Sequence, residues 1–535
     1  MTPSDKAINP LIIENLCIDL DRSGTRIVDD ISLTVRPGEI RGLVGESGSG
    51  KSLSCLAALG LLGDGWTLSG SIRLAGAQTP RDIARRRGSD AAMIFQDATA
   101  SLNPIRCVGH QVSETVRRLR RVSPHEARGI ALDLLRRVDI PDPETRYNAY
   151  PFQLSGGQNQ RVMIALALAG NPKILFADEP TTALDVTIQS QILELLKSIR
   201  DDTGMGIVFV SHDLGVIEEI CDTVSVMCKG QIVESGSVEE VMRQPKHAYT
   251  QNLIAAMPRL AVAKRTSKEV RDASVETQQL LEIKAASCDY RVREGTFRAV
   301  SEVSLAVDDT ESLAVIGESG SGKSTLGKLI LGIEPPAGGE VLFQGQPVPC
   351  LGSAEHRTFA RSAQLVPQNP YLSLDPRATI GDQIEEPLII HGIGSDTERR
   401  QTRDGLLTDV GLHPDLRSRY PHELSGGQCQ RAVIARALCL EPKLLVCDEA
   451  TASLDVSVQA RIIALLRDLQ TKFSLSLVFI THDLRLVGEL CQSVAVMRGG
   501  QLVEHGPTEQ VLTYPRHIYT RDLIDAVPER ERAVA

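Results

Sequence analysis

The eight residues GESGSGKS at positions 45–52 return unchanged at positions 317–324. Each copy fits the pattern GxxxxGKS, follows a short apolar run and precedes a stretch with a helical pattern. This context is typical of a phosphate-binding loop, or P-loop, whose glycines let backbone N–H groups converge on phosphate oxygens. The helix that follows presents its positive N-terminal end to the same anion. The sequence therefore predicts two phosphate sites in one chain.

The residues of each P-loop have separate predicted roles. Lys51 and Lys323 would contact the β- and γ-phosphates of a nucleotide, and the hydroxyls of Ser52 and Ser324 would bind Mg²⁺. The loop residues predicted to surround the phosphates are Gly45, Ser47, Gly48 and Gly50 in the first copy, and Gly317, Ser319, Gly320, Gly322 and Thr325 in the second. A P-loop alone leaves kinases, GTPases and many ATPases open, and the motifs that accompany it decide among them.

The repetition extends far beyond the P-loops. Lys51 and Lys323 are 272 positions apart, and Asp178 and Asp448 are 270 apart, so the halves stay nearly in register. The tails repeat too, as HAYTQNLIAAMP at residues 247–258 and HIYTRDLIDAVP at residues 517–528. A period of this length indicates the duplication of a whole domain rather than a short solenoid repeat.

Within each half, short apolar runs such as KILFAD and GIVFVS alternate with helical stretches. This alternation predicts an α/β fold with a largely parallel, buried sheet. We expect two tandem P-loop NTPase domains, at residues 1–258 and 280–535. Residues 97–153 and 369–423 are more charged and more helical, and predict a helical subdomain in each half. The polar, charged segment 259–279 is expected to be a linker.

Bulk properties narrow the functional class. The net charge of −10 argues against a primary nucleic-acid binder, which would carry a basic face. No apolar segment reaches the roughly 18 residues that span a bilayer, so a membrane role would require partners. The 11 cysteines form no CxxC pair, which predicts reduced, buried thiols rather than disulfides or a zinc site.

Two acidic pairs follow apolar runs, in ILFADEP and LLVCDEA. Asp178 and Asp448, at the ends of these predicted strands, would hold Mg²⁺. Glu179 and Glu449 come one residue later, where a carboxylate can polarise the attacking water. The sequence therefore predicts a hydrolytic centre next to each P-loop.

The segments LSGGQNQR at residues 154–161 and LSGGQCQR at residues 424–431 are the most specific signal. Together with the P-loops and acidic pairs, they make the chain resemble the ATP-binding cassette (ABC) family. In that family the Ser-Gly-Gly turn opens a helix whose N-terminus caps the γ-phosphate of ATP held by the opposite domain. The resemblance assigns nucleotide contacts to Ser155, Gly156, Gly157 and Gln158, and to Ser425, Gly426, Gly427 and Gln428.

The resemblance also assigns roles to three further motifs. Gln96 and Gln368 would link the metal and the γ-phosphate to the helical subdomain. Asp185 in TTALD and Asp455 in TASLD would lie in the loop that crosses the dimer interface. His212 and His482, in the segments VSHDL and ITHDL, would contact the γ-phosphate and take part in catalysis.

The family pattern explains why the loop occurs twice, because the signature of one domain completes the P-loop of the other. The first site would join the P-loop, acids and histidine of the first half to Ser425 and its glycines, and the second site would use the converse set. ATP would then hold the two domains together, and hydrolysis would release them. Neither half has lost a motif acid or histidine, so both sites are predicted to hydrolyse ATP.

The halves differ in the residue expected to stack on adenine. The second half offers Tyr290, with Phe297 as an alternative, whereas the first offers Leu20 at the matching place. Stacking a base on an aromatic ring contributes about 1–3 kcal/mol. We therefore expect weaker nucleotide affinity at the first site.

Within the family, the chain looks like the ATPases of bacterial dipeptide, oligopeptide and nickel importers, here fused into one chain. The segments SLNP and SLDP and the repeated HxYT tail carry this resemblance. It implies two membrane permease subunits, an extracytoplasmic solute-binding protein and a peripheral location on the cytoplasmic side of the inner membrane. Peptide is the leading substrate class, with nickel chelates, opines, glycosides and peptide-like antibiotics left open.

Two other classes of ATPase are alternatives to a transporter. Ribosome-associated ATPases of translation usually carry a long charged helical linker and basic extensions, whereas this linker has about twenty residues and the chain is acidic. ATPases of DNA repair or chromosome structure insert coiled coils or zinc modules, and neither pattern is visible. Transport is therefore the favoured function, with action on the ribosome as the alternative.

Overall fold

The computed structural model describes residues 9–21, 24–182, 184–257, 279–292, 295–451 and 454–527. The chain divides into two compact units, and the first of them ends at Met257. The predicted linker lies outside the described residues except for Gln279, which begins a strand of the second unit.

The strands and helices of the first unit alternate along the chain. The strands are β1 (Leu11–Leu20), β2 (Thr25–Val35), β3 (Ile40–Val44), β4 (Trp66–Leu74), β5 (Ala91–Ile94), β6 (Ile174–Asp178), β7 (Gly206–Ser211), β8 (Thr223–Cys228) and β9 (Gln231–Ser237). The helices are α1 (Lys51–Ala58), α2 (Pro80–Arg86), α3 (Ala98–Ser101), α4 (Val108–Arg120), α5 (Pro124–Arg137), α6 (Pro143–Arg146), α7 (Gly156–Leu168), α8 (Val186–Thr203), α9 (Leu214–Ile220), α10 (Val238–Arg243) and α11 (Ala248–Ala255).

The centre of the first unit is a six-stranded sheet with the order β5-β6-β7-β3-β8-β9. Only β9 runs antiparallel to its neighbour. Every residue of β6 and of β7 is buried, as expected for strands that are covered on both faces. In β6, Phe176 packs with the core around α1, whereas Leu175 and Ala177 pack with the core around α7 to α9.

A second, antiparallel sheet with the order β2-β1-β4 packs on the α1 side of the unit. A run of helices, α3 to α7, lies between β5 and β6 in the chain. In α4 the buried residues Val108, Val112 and Val116 recur every four positions, so one face of the helix joins the core. The remaining surface of α4 is polar, which accounts for the charged composition of this region.

The second unit repeats this plan. Its strands are β10 (Gln279–Val292), β11 (Gly295–Asp308), β12 (Ser312–Ile316), β13 (Gly338–Phe343), β14 (Gln346–Pro347), β15 (Ala363–Val366), β16 (Leu444–Asp448), β17 (Ser476–Thr481), β18 (Ser493–Arg498) and β19 (Gln501–Pro507). Its helices are α12 (Lys323–Ile330), α13 (Ala354–Phe359), α14 (Pro370–Ser373), α15 (Ile380–Ile390), α16 (Asp396–Asp409), α17 (Gly426–Leu438), α18 (Val456–Phe473), α19 (Leu484–Leu490), α20 (Thr508–Thr513) and α21 (Ile518–Asp525).

The central sheet of the second unit has the order β15-β16-β17-β12-β18-β19, and its antiparallel sheet has the order β11-β10-β13-β14. In both units the predicted α/β fold is confirmed. The P-loop strand lies between β7 and β8 in the first unit and between β17 and β18 in the second. No helix among the described residues is both long and apolar enough to cross a membrane.

Parallel pairing brings the chemically important residues to one edge of each central sheet. The register pairs Asp178 at the end of β6 with Val210 in β7, and Val44 at the end of β3 with Ser211. In the second unit Asp448 pairs with Ile480, and Ile316 pairs with Thr481. The P-loop, the acidic pair and the histidine therefore all follow strands that end at the same edge.

Candidate functional site

The first P-loop connects β3 to α1, and its lysine is the first residue of that helix. The Lys51 Nζ atom donates to the carbonyl oxygens of Gly45, at 2.7 Å, and Glu46, at 2.9 Å. Lys51 is buried, at 5% exposure. The loop therefore holds its own lysine by backbone carbonyls, close to the place where an anion would meet the helix N-terminus.

Two of the loop glycines occupy positions that no other residue could fill easily. Gly50 has a φ of 100°, and a Cβ there would approach the side chain of Val28 to 2.9 Å. A Cβ on Gly45 would lie 2.2 Å from the carbonyl oxygen of Met227. These contacts explain the glycines in terms of left-handed backbone and close packing against β2 and β8.

The Mg²⁺ candidates of the first unit contact each other. The Ser52 hydroxyl donates to Asp178 Oδ1 at 2.8 Å, across 126 positions of sequence. Burial raises the pKa of Asp178, and the hydrogen bond from Ser52 opposes that rise. A hydroxyl and a carboxylate are the hard oxygen donors that Mg²⁺ prefers, so the pair fits the predicted ion.

Glu179 is the centre of a small hydrogen-bond network. Its Oε2 atom accepts from Gln96 Nε2 and from the Thr182 hydroxyl, both at 2.9 Å. Its Oε1 atom lies 3.2 Å from Nδ1 of His212. Burial acts to raise the pKa of Glu179, but hydrogen bonding to His212 and Thr182 outweighs it and lowers the pKa. Glu179 is therefore an ionised carboxylate whose orientation is fixed from two sides.

The second unit reproduces this network. Lys323 Nζ donates to the carbonyl oxygens of Gly317 and Glu318, both at 2.8 Å. The Ser324 hydroxyl donates to Asp448 Oδ1 at 3.0 Å. Burial lowers the pKa of Lys323 and raises that of Asp448.

The catalytic candidates of the second unit are also joined. Gln368 Nε2 donates to Glu449 Oε2 at 2.6 Å, and His482 Nδ1 lies 3.3 Å from Glu449 Oε1. Burial opposes charge on both members of the His482–Glu449 pair. Their mutual attraction outweighs burial, so the pKa of Glu449 is lowered and that of His482 is raised. Both units thus place an ionised glutamate beside a histidine.

The two Ser-Gly-Gly turns each begin a helix, as the family resemblance implies. Ser155 is the N-cap of α7 and forms a capping box with Gln158, and Ser425 forms the same box with Gln428 at α17. A Cβ on Gly157 would lie 2.7 Å from Ile188, and one on Gly427 would lie 2.6 Å from Val458. The second glycine of each turn is therefore required by close packing against the next long helix.

The remaining predicted residues are placed as follows. Asp455 is the N-cap of α18, and Asp185 directly precedes α8. Thr325 lies in the first turn of α12, two residues after Lys323. The interface roles that the family resemblance assigns to these two aspartates remain predictions.

The adenine-stacking candidates lie on the antiparallel sheets. Tyr290 and Phe297 face each other across β10 and β11, and Leu20 lies at the end of β1. The Tyr290 ring is partly buried against the core, whereas Phe297 is 57% exposed. Strand β11 passes close to the P-loop, because a Cβ on Gly322 would lie 2.4 Å from the carbonyl oxygen of Ala299. The proximity suits a stacking role for this region without choosing between the two rings.

Two residues that the sequence analysis did not select contact the P-loops. The Tyr249 hydroxyl accepts a hydrogen bond from the Glu46 N–H at 3.1 Å, and the Tyr519 hydroxyl accepts one from the Glu318 N–H at 3.0 Å. Both tyrosines belong to the repeated HxYT tail. The repetition of that tail was the available signal, but no local pattern links it to a loop about 200 residues earlier.

Comparison with known families agrees with this geometry. The family model described as ABC transporter matches residues 28–182 and 300–452. The model described as oligopeptide/dipeptide transporter, C-terminal region, matches residues 233–293 and 503–534. The chain belongs to the ABC transporter family. The two ABC matches begin before each P-loop and end just after each acidic pair.

Relatives of this ABC protein match it over nearly its whole length. A glutathione import ATP-binding protein, GsiA, of Salmonella choleraesuis (strain SC-B67) is 42% identical over 97% of this chain and 89% of its own. The GsiA protein of Escherichia coli (strain K12) is 42% identical over 98% of this chain and 90% of its own. A solved structure, CbiO1 from Clostridium perfringens, described as part of the ABC transporter complex CbiONQ, is 28% identical, covers 44% of this chain and 92% of its own, and has a TM-score of 0.41.

These relationships confirm three predictions. The chain is a twin-cassette ABC protein, it binds ATP, and it is an ATPase. The two relatives are import ATP-binding proteins, so the comparisons give no support to the alternative of action on the ribosome.

Proposed function

We propose that this chain is the ATP-hydrolysing subunit of a bacterial importer for peptides or similar small solutes. The observation that carries the proposal is the duplicated network of P-loop, acidic pair, glutamine and histidine. A tail that matches the oligopeptide/dipeptide transporter region follows both copies of this network. The relatives that cover the whole chain are named for the import of glutathione, which is a tripeptide. A peptide-sized solute is therefore the best-supported substrate class.

The P-loops would bind the phosphates of ATP. In each unit the lysine is held by two loop carbonyls, and phosphate oxygens would replace these carbonyls as its partners when ATP binds. The loop N–H groups and the positive helix end add further attraction for the anion. The proposed role of Lys51 and Lys323 is to neutralise the β- and γ-phosphates.

Mg²⁺ would be held by Ser52, Asp178 and Gln96 in the first cassette and by Ser324, Asp448 and Gln368 in the second. These donors supply hydroxyl, carboxylate and amide oxygens, which suit a hard ion. The described residues contain no cluster of three His, Cys, Asp or Glu side chains that could hold a metal ion. An NTPase site does not need one, because Mg²⁺ there is bound by one or two protein side chains together with phosphate oxygens and water. Bound there, the ion would neutralise charge on the phosphates.

Glu179 and Glu449 are the proposed general bases. Each is an ionised carboxylate, as an acceptor of a proton from water must be. Gln96 and Gln368 donate to one oxygen of the carboxylate, and the histidine lies at the other. His212 and His482 would orient the base and contact the γ-phosphate.

We further propose that the two cassettes, at residues 1–258 and 280–535 with a linker at 259–279, complete each other's sites. The proposal rests on the duplication and on the family resemblance. Ser425 with Gly426 and Gly427 would act on the ATP held by Lys51, and Ser155 with its glycines on the ATP held by Lys323. Two helix N-termini would then face one γ-phosphate, from the P-loop and from the signature turn.

The likeness to importer ATP-binding proteins supports partners in the membrane, through which ATP hydrolysis would drive import. We propose two permease subunits and an extracytoplasmic solute-binding protein as the partners. The chain would lie at the cytoplasmic face of the cell membrane, attached through the permeases. The helical subdomains, residues 97–153 and 369–423, together with the loops that carry Gln96 and Gln368, are the proposed docking regions.

The test is to purify the tagged chain from gently solubilised native membranes and to identify what accompanies it. We expect two polytopic membrane proteins in stoichiometric amounts, and we expect the ATPase activity of the complex to rise when binding protein loaded with glutathione or a short peptide is added. Ribosomal proteins in place of membrane proteins would contradict the proposal. If the complex contains permeases but responds to a different solute, the importer function would be supported and the proposed substrate class would be wrong.

A further inference from the structure

The tail of each cassette returns to the P-loop of the same cassette. Tyr249, near the start of α11, accepts from the Glu46 N–H, and Tyr519, near the start of α21, accepts from the Glu318 N–H. The two contacts lie within separate units and have nearly the same length, 3.1 and 3.0 Å. A contact that both copies of a duplicated fold make, across about 200 residues of chain, is a property of the fold and not of one loop.

The tyrosine and the P-loop lysine bind the same peptide unit. Its carbonyl, from Gly45, accepts from Lys51 Nζ at 2.7 Å, and its N–H, from Glu46, donates to Tyr249. In the second unit the peptide between Gly317 and Glu318 is held in the same way. Because a peptide unit is planar and rigid, fixing its N–H also fixes the direction of its carbonyl. The tyrosine therefore sets the position of an atom that holds the lysine.

The tail that carries the tyrosine is itself fastened to the central sheet. The Glu234 carboxylate, on β9, accepts from the N–H groups of Lys246, at 2.8 Å, and His247, at 3.1 Å. His247 then caps α11 by accepting from the Tyr249 N–H at 3.2 Å. The tyrosine thus approaches the P-loop from a segment that is hydrogen-bonded to the sheet rather than from a free terminus.

The second cassette repeats this fastening. Glu504, on β19, accepts from the N–H groups of Arg516, at 2.8 Å, and His517, at 3.1 Å. The Arg498 guanidinium lies 4.7 Å from the centre of the Tyr519 ring, a cation–π contact. The matching final residue of β8 in the first cassette is Cys228. The Tyr519 ring is therefore packed against an arginine whose matching position in the first cassette is a cysteine.

The hydroxyl of the buried Tyr519 stays neutral at ordinary pH. Tyr519 is 3% exposed, and burial raises its pKa to about 12. A neutral phenol can accept from the loop N–H and still donate its own proton. Replacing it with phenylalanine removes only the oxygen, which makes the substitution a clean test.

We propose that Tyr249 and Tyr519 are positioning residues for ATP binding, which act through the P-loop peptide that holds the lysine. When ATP binds, the lysine would exchange the loop carbonyl for phosphate oxygens. The tyrosine would still hold the N–H of that peptide, and so keep the start of the P-loop in the orientation that the nucleotide requires. The inference rests on the proposed assignment of the two P-loops as ATP sites. It does not depend on the transported solute.

The experiment compares Tyr249→Phe and Tyr519→Phe with Tyr514→Phe in the full-length chain. Tyr514 is 75% exposed and lies in the same tail segment as Tyr519, so it is a matched control. Each site is isolated by Lys323→Ala for the Tyr249 test and by Lys51→Ala for the Tyr519 test. MgATP affinity, KM, kcat and thermal unfolding are measured for every variant.

We expect the Kd and KM for MgATP to rise about twofold to tenfold, the range for one lost hydrogen bond, while kcat changes by less than about twofold. The control should match its parent. Unchanged Kd and KM would overturn the inference. It would also be overturned if kcat and Tm fell in proportion to the rise in KM, because the tyrosine would then have only a structural role. If Lys51→Ala and Lys323→Ala do not weaken ATP binding, the P-loop assignment fails as well, which separates the two results.

Discussion

Glu179 and Glu449 show how one residue can be held ready for catalysis. Each follows a buried strand, has a φ near +48°, and donates its N–H to the carbonyl of the neighbouring strand. The left-handed conformation is uncommon for a non-glycine residue, and such positions concentrate at functional sites. In both units the carboxylate contacts a glutamine and a histidine that lie outside its own strand.

The His482–Glu449 pair makes stability depend on pH. Because the folded pKa of His482 is raised above 6.5, the stabilisation is complete below that value and is lost as pH rises through the folded pKa. We expect wild type to exceed His482→Gln in Tm at pH 6, by about 2–4 °C, and this gap to narrow as pH rises. The difference in Tm between wild type and His482→Gln is measured by thermal unfolding of the nucleotide-free chain between pH 6 and 9.

The control for this prediction is His413→Gln, since His413 pairs with Asp415 at the exposed surface. An exposed pair contributes little, so its Tm should follow that of wild type at every pH. A gap between wild type and His482→Gln that stays constant or widens with pH would contradict the account of the pair.

The two cassettes are expected to differ in ATP affinity, because the second has Tyr290 where the first has Leu20. In a Lys51→Ala background we expect Tyr290→Ala to raise the Kd for ATP about fivefold to a hundredfold, the range for one stacked base. In a Lys323→Ala background Leu20→Ala should have little effect. Fluorescence titration with a nucleotide analogue measures both.

Phe297→Ala is the comparison variant, because Phe297 lies opposite Tyr290 and is the more exposed ring. A loss of affinity only in Phe297→Ala would transfer the stacking role to that residue. Equal ATP affinity in the Lys51→Ala and Lys323→Ala single variants would contradict the prediction that the first site binds ATP more weakly.

The contents of each site could be predicted from the sequence, but several contacts could not. P-loop, acidic pair, glutamine and histidine follow short motifs whose spacing reflects strand ends, so their meeting at one edge was foreseeable. The contact of Tyr249 with Glu46 is not, because it depends on how a tail folds back across the sheet. The bond between Gln96 and Glu179 was equally hidden, since the motif predicted a metal contact for that glutamine.

At the scale of elements, the buried parallel strands followed from their unbroken apolar runs. The antiparallel sheets did not, because β1 and β2 mix polar with apolar residues and pair with several register shifts. An irregular strand of this kind lacks the strict period of two that identifies a half-buried strand. The place of β1 in the sheet is established by its pairing with β4 in the structure.

The capping box at α7 allows a test that separates helix stability from catalysis. Ser155 accepts from the Gln158 N–H and Ser237 accepts from the Glu240 N–H, both at 3.2 Å, and each forms a capping box. We expect Ser155→Ala and Ser237→Ala each to cost about 1 kcal/mol of stability. Only Ser155→Ala should also reduce ATP turnover, to half or less, because one of two sites loses its signature hydroxyl.

Thermal unfolding and steady-state ATPase assays on both variants measure this. Equal loss of turnover in Ser237→Ala would mean that the effect is a general consequence of helix destabilisation. Full turnover in Ser155→Ala would remove the serine hydroxyl from the proposed γ-phosphate contact.

At the scale of the whole molecule, duplication is the property that sequence showed most directly, and the pairing of half-sites is its proposed consequence. Variants that combine a P-loop lysine with a signature serine can test that pairing. In a Glu179→Gln/Glu449→Gln background, which traps ATP, we expect two occluded ATP molecules per chain. Adding Lys51→Ala with Ser425→Ala should leave one, because both changes fall on the same proposed site.

Lys51→Ala with Ser155→Ala should leave none, because the changes fall on different sites. Radiolabelled ATP retained after rapid gel filtration gives the count. The reverse order, with one ATP for the second combination and none for the first, would mean that each cassette uses its own signature.

The proposed function requires that ATP hydrolysis by this chain drives import. The direct measurement is uptake of labelled glutathione or short peptide into proteoliposomes that contain the chain, its permeases and MgATP on the cytoplasmic side, with binding protein on the other. We expect uptake by wild type and by the exposed control Glu239→Gln. Uptake should fall about a hundredfold or more in Glu179→Gln/Glu449→Gln, which still binds ATP. Undiminished uptake in that double variant would contradict a transport function driven by hydrolysis at these sites.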